Sequence, residues 1–437
     1  MSIITIDCGA SFIKGALFED SVIIKQIQKH SPVVHGDIEI TKTVQIEALV
    51  PLVHDMILEL AEGREEIVLC ISNEMHGFLL AYENGKPYTD YISWQKEYGM
   101  LGEAEKTPLA VLMASNLADE ILYTGMPLRA GLPSCNLLYL SQNGYLDKPK
   151  LFFYTLGDYI LKNLSGQEPI CHPTNAAATG LYDLRSGKWN SKLLQTVGAQ
   201  DIIFPVIGNE AISFEIDNIR ITAYPALGDQ QAALFGAGLI EDKTLSFNLG
   251  TGAQVSRIVY KPEYSGNYQI RPYFNGMYLQ TIPHLPSGRA LNVYIRFIRG
   301  ILEDFNSQIT EDDIWEVLLR KEKNVTYSPL ECDMSFFENP ITNYTVGKIS
   351  NIGEYSLKIE ELMHSVFRQM GSNFIWAADQ IEPDRLSVEE IVFSGGVARK
   401  IERIREYILK HYKKDVKVRI ALNETLMGLY KYGMRGS

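Results

Sequence analysis

Two stretches of the chain share one pattern, and this pattern constrains the fold more than any other feature. "IITIDCGASFIKGALFED" begins at Ile3, and "TLSFNLGTGAQVSRIVY" begins at Thr244. Each has a β-rich run, a turn of glycine and small residues, and a second β-rich run, which predicts a strand–turn–strand hairpin. The turns Gly9–Ser11 and Gly250–Gly252 would point successive backbone N–H groups into one concavity, which suits an anion such as a phosphate.

Either hairpin alone is more typical of an ordinary hairpin than of a phosphate site. The two lie about 240 residues apart, each at the head of one half of the chain. This spacing predicts two similarly built domains that both contribute to phosphate binding. The chain has 437 residues and is too long for one typical core. We therefore expect domains at residues 1–240 and 241–437, with the boundary near Gly238–Lys243.

Helical and strand patterns alternate along the rest of the chain. Apolar spacing of three and four predicts a helix from Ala48, and "EIVLCIS" from Glu66 predicts a buried strand. The stretch from Leu151 predicts a helix with Gly166 as its C-cap. "SLKIEELMHSVFRQMGSNFIWAADQI" predicts a long helix, and "EIVFSGGVARKIERIREYI" predicts a strand, a Gly-Gly turn and a helix. This alternation indicates α/β domains in which helices cover mixed sheets.

Composition argues against several classes of protein. The formal net charge of -12 argues against a nucleic-acid partner, which normally requires a basic patch. The chain shows no basic signal region and no long apolar run, so we expect no secretory signal and no membrane partner. Its five cysteines are scattered and form no CxxC pair. They predict reduced thiols in a cytoplasmic protein, with neither a disulfide framework nor a zinc site.

Two aspartates lie beside turns. In "YPALGDQQAALFGAG", Asp229 follows a glycine and precedes small, helix-compatible residues, which is typical of a helix N-cap with close packing behind it. Asp7 ends the first predicted strand beside Gly9, where a carboxylate is well placed to hold Mg²⁺ together with phosphate oxygens. The alternative for Asp7 is a turn aspartate that bonds its own backbone. Lys14 is within reach of a phosphate, or is a solvated strand residue.

A different kind of stretch, "SNEMHGFLLAYENGKPYTDYISWQKE", follows the predicted strand from Glu66 directly. It combines an apolar body with several hydrogen-bonding tips. The side chains concerned are Glu74, Met75, His76, Trp94 and Gln95. This combination suits a carbohydrate, because a sugar has an apolar face and a hydroxylated rim. The alternative for His76 is a structural histidine whose hydrogen bonds are satisfied within the protein.

Taken together, these motifs resemble the FGGY family of carbohydrate kinases, within the actin/hexokinase/Hsp70-like ATPase superfamily. The hairpins resemble its two phosphate hairpins, "SNEMHGFLL…YISWQ" its sugar segment, "ALGDQQAALFGAG" its catalytic segment and "VFSGGVARKIERIREYI" its adenosine segment. The motifs are collinear from Ile3 to about Tyr430. The resemblance implies two actin-like (ribonuclease H-like) α/β domains with mixed sheets and an interdomain cleft. It also implies an ATP- and Mg²⁺-dependent kinase for a small-molecule sugar, acting as a monomer or homodimer.

The resemblance further implies roles for individual residues. Asp229 would be the catalytic base, and Asp7 and Asp229 would hold the metal. The sugar would be bound by Glu74, Met75, His76, Trp94, Gln95 and Asp229. The nucleotide would be bound by Gly9, Ala10, Ser11, Lys14, Gly250, Thr251, Gly252, Gly288, Gly395, Gly396 and Arg399. A helix N-terminus would keep Asp229 ionised and so a weak base, and the small residues after it would leave room for sugar and triphosphate.

Within the family, the chain is most similar to the sedoheptulokinase group in the stretches "HPTNAAATGLYD", "RPYFNGMYLQTIPHLPSGRALN" and "VGKISNIGEYSLKIEELMHSVFRQM". This resemblance implies sedoheptulose as the acceptor. It departs from the family at Ala10, where threonine is usual, at Asn73 and Glu74, where glycine and glutamine are usual, and at Lys96, where the family has an aspartate that contacts sugar. A kinase for another ketose or a polyol, such as xylulose, and a catalytically weak sugar-binding sensor are the alternatives. A further hypothesis is a paired exchange, in which Glu74 accepts the sugar's hydrogen bond and Lys96 balances its charge.

Overall fold

The structure is a computed structural model that describes residues 1–35, 42–250, 252–264, 266–305, 309–342 and 344–436. Thr251, one of the predicted nucleotide-binding residues, lies outside the described residues. The chain forms two compact units. The first comprises Met1–Gly238, Ile270–Tyr278 and Asn423–Ser437, and the second comprises Leu239–Gln269 and Leu279–Leu422.

The chain passes into the second unit directly after Gly238, where the predicted boundary region begins. Two segments of the predicted second domain, Ile270–Tyr278 and Asn423–Ser437, belong to the first unit. Their local patterns match those of their neighbours in the sequence, so no local signal separates them from the second domain. The division into functional domains at residues 1–240 and 241–437 stays a prediction.

A mixed sheet forms the centre of the first unit. The strands of this unit are β1 (Ile3–Cys8), β2 (Phe12–Glu19), β3 (Val22–His30), β4 (Val33–His35), β5 (Lys42–Val44), β6 (Glu66–Asn73), β7 (Leu79–Ala81), β8 (Phe152–Tyr154), β9 (Ile170–Cys171), β10 (Tyr182–Asp183), β11 (Lys188–Trp189), β12 (Val206–Ile207), β13 (Ile212–Ile216), β14 (Ile219–Ala223) and β15 (Leu227–Gly228). Its first eight helices are α1 (Ile46–Leu60), α2 (Pro108–Met113), α3 (Ala118–Leu122), α4 (Pro133–Gln142), α5 (Leu156–Ser165), α6 (Pro173–Ala177), α7 (Ser191–Thr196) and α8 (Asp229–Gly236).

The strand order in this sheet is β13–β14–β6–β1–β2–β3, with β15 also paired to β6. β1 and β2 are antiparallel, which confirms the first predicted hairpin, and β1 and β15 both run parallel to β6. Side chains of α1 and α5, among them Val53 and Ile160, pack on the sheet in one core with Ile6. Because the carboxyl ends of parallel strands meet at one edge of a sheet, the residues that follow β1, β6 and β15 come together there.

The stretch from Leu151 differs from its prediction. Its first residues form strand β8, which pairs with β7, because an aromatic run fits a pleated surface better than a helix. The helix itself, α5, begins after Thr155, whose Oγ1 accepts a hydrogen bond from the Asp158 N–H at 3.3 Å. Gly166 is the predicted C-cap and has the left-handed backbone expected there, with φ of 70°.

The second unit is also built around a mixed sheet. The strands from its beginning onward are β16 (Thr244–Asn248), β17 (Ala253–Val259), β18 (Gln269–Pro272, which leads into the first unit), β19 (Tyr278–Leu285), β20 (Glu331–Asp333), β21 (Lys348–Ser350), β22 (Glu390–Ser394) and β23 (Lys417–Ile420). Its helices are α9 (Gly288–Asp304), α10 (Glu311–Glu322), α11 (Ile359–Ile381), α12 (Gly396–Lys400) and α13 (Glu402–Leu409).

Within this sheet, neighbouring strands follow the order β19–β17–β16–β22–β23. β16 and β17 are antiparallel, which confirms the second predicted hairpin, and β16 and β22 are parallel. The long predicted helix is α11, whose buried face includes Phe367 and Phe374 and packs in one core with Phe247 and Phe393 of the sheet. The predicted strand, Gly-Gly turn and helix correspond to β22, α12 and α13, with a break at Ile401.

The last helix of the chain, α14 (Glu424–Gly433), packs against α8 within the first unit. A Cβ atom added at Gly236 would lie 1.7 Å from the Glu424 carbonyl oxygen, and one added at Gly428 would lie 1.8 Å from the Ala232 carbonyl oxygen. The two helices therefore touch backbone to backbone. This corrects the expectation that the small residues after Asp229 leave room for ligands, because at Gly236 helix α14 occupies the space.

The predictions of reduced thiols and of no membrane partner concern the cysteines and the helices. All five cysteines are free and buried. Among the helices of the described residues, none combines the length and the apolar character needed to cross a bilayer.

Candidate active site

Three carboxylates lie at the carboxyl edge of the first unit's sheet. Asp7 is the penultimate residue of β1, Glu74 directly follows β6, and Asp229 directly follows β15. The strand register places the ends of β1 and β15 level with the end of β6. The negative charges of Asp7 and Glu74 both raise the pKa of Asp229, so the three groups act on one another. The structure therefore brings together Asp229, predicted for catalysis, Asp7, predicted for metal binding, and Glu74, one of the residues predicted for sugar binding.

Asp229 is the first residue of α8, and Gly228 occupies the N-cap position. The N-cap interpretation of Asp229 is therefore wrong by one residue. Its half-buried carboxylate accepts a hydrogen bond from the Gln230 N–H at 2.7 Å. Burial first, and then repulsion by Asp7, raise the pKa of Asp229 to about 7, against the opposing effect of Arg271. The expected effect of the helix N-terminus is outweighed, because desolvation of the carboxylate and the charges of Asp7 and Glu74 all raise its pKa.

Asp7 is held by its neighbours on the sheet. Its Oδ1 accepts a hydrogen bond from the Ser72 hydroxyl at 2.9 Å. Burial raises the pKa of Asp7, while the Ser72 hydrogen bond and the charge of Lys14 act in the opposite direction. Lys14 is exposed and lies opposite Asp7 in the register of β1 and β2. Asp7 thus bonds a neighbouring strand, which differs from the turn arrangement considered as its alternative.

The first hairpin turn uses one of its own donors. The Gly9 N–H donates to the Phe12 carbonyl oxygen at 3.2 Å. This N–H is therefore engaged inside the hairpin, and the predicted anion cradle does not include it. Ala10 and Ser11 complete the turn, and Ser11 is exposed.

The pair Asp7 and Asp229 fits a magnesium ion. Among the described residues, no group of three or more His, Cys, Asp and Glu side chains forms a metal cage. Mg²⁺ typically takes one or two carboxylates and completes its shell with water and phosphate oxygens. The two carboxylates lie close enough for Asp7 to raise the pKa of Asp229, and a divalent cation would relieve this repulsion.

Glu74 lies buried in the sugar segment, with 7% of its surface exposed. Burial raises the pKa of Glu74 to about 7, and the neighbouring Tyr91 acts against this rise. Its Oε1 atom has no hydrogen-bond partner among the described residues. Lys96 is not among the groups that shift this pKa, and the paired exchange of Glu74 and Lys96 stays a hypothesis. Sequence reasoning missed Tyr91, which fits because a Cβ at Gly77 would lie 1.9 Å from its hydroxyl oxygen.

Met75 and His76 continue this segment. Met75 is buried, and its Sδ lies 3.5 Å from Nη1 of Arg271. His76 has a left-handed backbone, with φ of 65°, which is strained for a residue with a side chain. Its Nδ1 lies 2.7 Å from the Ala178 carbonyl oxygen and so donates to it. This bond fixes the imidazole, as the structural alternative for His76 predicts.

Trp94 and Gln95 are the predicted sugar-binding residues furthest from Glu74 in the sequence. Trp94 has 44% of its surface exposed, and Gln95 is half-buried. A Cβ at Gly131 would lie 2.4 Å from the Trp94 carbonyl oxygen, so this part of the segment packs on the chain before α4. Within the described residues, no hydrogen bond joins either side chain to Asp7, Glu74 or Asp229.

Arg271 is a site residue that sequence reasoning missed. It has 3% of its surface exposed, and its Nη1 donates a hydrogen bond to Oε1 of Gln230, next to Asp229. Burial and repulsion by Arg129 lower the pKa of Arg271 to about 9, while Asp229 acts in the opposite direction. The available signal was an arginine inside the β-rich run "QIRPYF". It was overlooked because this run was expected in the second domain.

The second unit contains a cavity of about 240 Å³. It is lined by Gly250, Gly288, Leu291, Asn292, Trp315, Gly396, Val397, Lys400 and Ile401. Three of the predicted nucleotide-binding residues, Gly250, Gly288 and Gly396, are in this lining, whereas Gly252, Gly395 and Arg399 are not. Sequence reasoning missed Trp315 and Lys400, which lie on helical surfaces that resemble any solvated helix face.

Close contacts between three turns shape this cavity. The Gly288 N–H donates to the Gly250 carbonyl oxygen at 3.0 Å, and the Val397 N–H donates to the Leu249 carbonyl oxygen at 3.0 Å. Gly395 has φ of 89°, and a Cβ there would lie 2.5 Å from the Leu249 carbonyl oxygen. Only glycine fits at this position, both for its backbone conformation and for the close approach.

The comparison with known sequences gives a family match. Residues 2–236, more than half of the chain, match the N-terminal domain of the FGGY family of carbohydrate kinases. Glycerol kinase of Fusobacterium nucleatum subsp. nucleatum is 27% identical over 199 residues, which are 43% of this chain and 39% of that protein. Glycerol kinase of Shewanella halifaxensis is 33% identical over 180 residues, 38% of this chain and 35% of that protein. The chain thus spans less than half the length of these curated relatives.

The comparison with solved structures covers the whole chain. Xylulose kinase from Lactobacillus acidophilus, solved with a ligand, has a TM-score of 0.80 at 18% identity, over 99% of this chain and 88% of that chain. Glycerol kinase from Plasmodium falciparum, solved with ADP, has a TM-score of 0.79 at 13% identity, over 99% and 88% of the two chains. These similarities confirm the predicted α/β fold class. With the family match, they lead to one conclusion: this chain belongs to the FGGY family of carbohydrate kinases.

Proposed function

We propose that the protein is an ATP-dependent kinase that transfers the γ-phosphate to a terminal hydroxyl of a ketose, with sedoheptulose as the favoured acceptor. The observation that carries the proposal is the convergence of Asp7, Glu74 and Asp229 at three strand ends beside Arg271. A neutral acceptor needs a carboxylate that takes the proton of its hydroxyl, and a phosphate bound through a metal ion needs carboxylates that hold the metal. The free, buried cysteines support a cytoplasmic location.

In this proposal, Asp229 accepts the proton of the attacking hydroxyl as that oxygen bonds to the γ-phosphorus and the bond to ADP breaks. A pKa of about 7 suits this role, because such a carboxyl gains and loses a proton near neutral pH. Phosphoryl transfer through a loose transition state depends mainly on positioning and charge neutralisation. The hydrogen bond from the Gln230 N–H fixes one oxygen and leaves the other for the hydroxyl.

The acceptor is proposed to lie against the sugar segment. Glu74 has a buried oxygen without a partner in the part of the chain that the structure describes, and it is able to accept or share a hydrogen bond with a hydroxyl. Met75 and the exposed ring of Trp94 offer apolar surface for the carbon face of a sugar. His76 donates through Nδ1 to the Ala178 carbonyl oxygen, which fixes its imidazole within the segment proposed to hold the acceptor.

The cavity of the second unit is proposed to hold the adenosine part of ATP. Its lining combines the aromatic ring of Trp315 and the apolar side chains of Leu291 and Ile401, which suit a base, with the backbone of three glycines. Lys400 lies in the same lining and forms an ion pair with Asp312 at 3.6 Å. The fold similarity to a glycerol kinase solved with ADP supports a nucleotide site.

Asp7 and Asp229 are proposed to hold Mg²⁺, which when bound neutralises charge on the phosphate oxygens. Asp7→Asn is expected to raise the Mg²⁺ concentration that gives half-maximal rate and to lower kcat, because an amide is a weaker metal ligand than a carboxylate. A Mg²⁺ titration of the initial rate at saturating ATP and acceptor measures both. The matched control is Asp217→Asn, which removes one charge from an exposed turn where asparagine also fits. If both variants give the wild-type titration curve, Asp7 holds no metal.

Release of ADP across C5 to C7 ketoses and polyols tests the proposed function. We expect the highest kcat/KM with sedoheptulose. A higher value with xylulose or glycerol would favour the second candidate, a kinase for another ketose or a polyol, which the similarity to xylulose and glycerol kinases supports. Calorimetric binding of a sugar without ADP release from any member of the panel would instead identify a sugar-binding sensor.

A further inference from the structure

The segment "HPTNAAATG", from His172 to Gly180, has no part in the proposed chemistry, yet all four of its polar side chains are buried, and three of them lie near its start. His172 has 5% of its surface exposed, Thr174 has 0% and Asn175 has 2%. Buried polar groups are costly unless they are hydrogen-bonded. The partners of these three residues therefore show what the segment is for.

Asn175 bridges two of the strand ends that form the candidate site. Its Nδ2 donates to Oδ1 of Asn73 at 2.9 Å and to the Ala226 carbonyl oxygen at 2.8 Å. Asn73 is the last residue of β6, and its own Nδ2 donates to the Glu74 carbonyl oxygen at 2.7 Å. Ala226 directly precedes β15, which leads into Asp229. One amide thus joins the segment that carries Glu74 to the segment that carries Asp229.

Thr174 holds the segment that carries Asp229 from a second point. Its Oγ1 accepts a hydrogen bond from the Gly228 N–H at 3.0 Å, and Gly228 directly precedes Asp229. The same Oγ1 lies 2.8 Å from Nδ1 of His172. Because the Thr174 N–H also donates to Nδ1, at 3.2 Å, this nitrogen is an acceptor. The Thr174 hydroxyl hydrogen therefore points to His172, which leaves an oxygen lone pair for the Gly228 N–H.

One further observation agrees with this orientation, and a second concerns the contact between Asn73 and Asn175. Burial lowers the pKa of His172 to about 3, so the imidazole stays neutral and Nδ1 remains an acceptor. On helix α5, a Cβ at Gly157 would lie 2.5 Å from Oδ1 of Asn73 and 2.3 Å from Cβ of Ala226. The glycine at that position leaves the space in which the Asn73 side chain meets Asn175.

We propose that His172, Thr174 and Asn175, together called the α6 clamp, are positioning residues that set the spacing between Glu74 and Asp229. The inference rests on the proposed function, in which these two carboxyls bind the acceptor and take its proton. The clamp acts through the backbone of Gly228 and Glu74 and through Asn73. Its purpose is to keep the reacting hydroxyl within hydrogen-bonding distance of Asp229, where a displacement of about 1 Å costs about 100-fold in rate.

Thr174→Val tests the clamp, because valine keeps the shape of threonine and leaves the Gly228 N–H without its acceptor. We expect kcat to fall by roughly 10- to 100-fold, with acceptor affinity measured by calorimetry changed far less. Hydrogen exchange of the peptide containing Gly228 and Asp229 should become faster. Thr174→Ser, which keeps the hydroxyl, should restore both kcat and slow exchange.

The matched control is Thr179→Val. Thr179 has 1% of its surface exposed, and its Oγ1 accepts a hydrogen bond from the Leu181 N–H at 3.1 Å, away from the strand ends. This variant should lose comparable thermal stability but keep its kcat. If Thr174→Val keeps the wild-type kcat, or loses no more kcat than Thr179→Val, the clamp proposal is overturned while the proposed function stands. A wild-type protein that releases no ADP with any acceptor overturns the proposed function, and the positioning role with it.

Discussion

Asp229→Asn is expected to lower kcat by at least about 1000-fold, near the upper part of the range for loss of a general base. Asparagine keeps the size of the side chain, and its Oδ1 is able to accept the same hydrogen bond from the Gln230 N–H. It has no basic oxygen to take a proton from the attacking hydroxyl. Initial rates of ADP release at saturating ATP, Mg²⁺ and acceptor give kcat for both proteins.

The stability of the same variant provides the control. The folded pKa of Asp229 is raised to about 7, so folding favours the protonated carboxyl. The contribution of this group to stability therefore falls as the pH rises from the unfolded pKa of roughly 4 through 7. Asp229→Asn removes the buried charge and should be at least as stable as the wild type at pH 8. Near-normal kcat in a folded Asp229→Asn protein would falsify the role of base.

Gly428→Ala is expected to give the largest loss of stability. Its Cβ would lie 1.8 Å from the Ala232 carbonyl oxygen, and backbone atoms of two packed helices cannot move aside as a flexible side chain can. Forced overpacking of this kind typically costs about 1–3 kcal/mol, and contact with backbone places this case at the upper end. Gly236→Ala, on the facing helix, should behave in the same way. Urea unfolding followed by circular dichroism measures the free energy of unfolding.

Gly300→Ala is the matched control for this prediction. Gly300 also lies inside a helix, α9, but a Cβ there would have no atom within 4 Å. Alanine should therefore stabilise α9 by up to about 1 kcal/mol through helix propensity alone. Opposite signs for the two substitutions are the expected result. Equal stabilisation by both would show that α8 and α14 are not in backbone contact.

Local features of the fold were predictable from sequence because they depend on neighbouring residues. The two hairpins follow from glycine turns between β-rich runs, and both are present at β1–β2 and β16–β17. Gly166 is a C-cap because only a few preceding residues and a left-handed backbone are involved. The strand before it, β8, was missed because its pairing with β7 comes from a segment some 70 residues away.

The candidate site was predictable only in part. Asp7, Glu74 and Asp229 could be selected because each directly follows or ends a strand pattern, and parallel pairing then brings them together. Tyr91 and Arg271 could not, because nothing in their own neighbourhoods marks them. Each acquires its role only when the chain places it beside Glu74 or Gln230.

The family, the α/β pattern and the order of the site segments along the chain could all be predicted from the order of the residues. Three features became known only from the folded chain: α14 belongs to the first unit, small residues of α8 serve helix packing, and Asp229 has a pKa of about 7. The difference comes from how far apart in the sequence the interacting atoms lie. Turns, caps and strand patterns depend on atoms a few residues apart, whereas desolvation, charge–charge repulsion and backbone packing depend on groups that are distant in sequence and meet only in the folded chain.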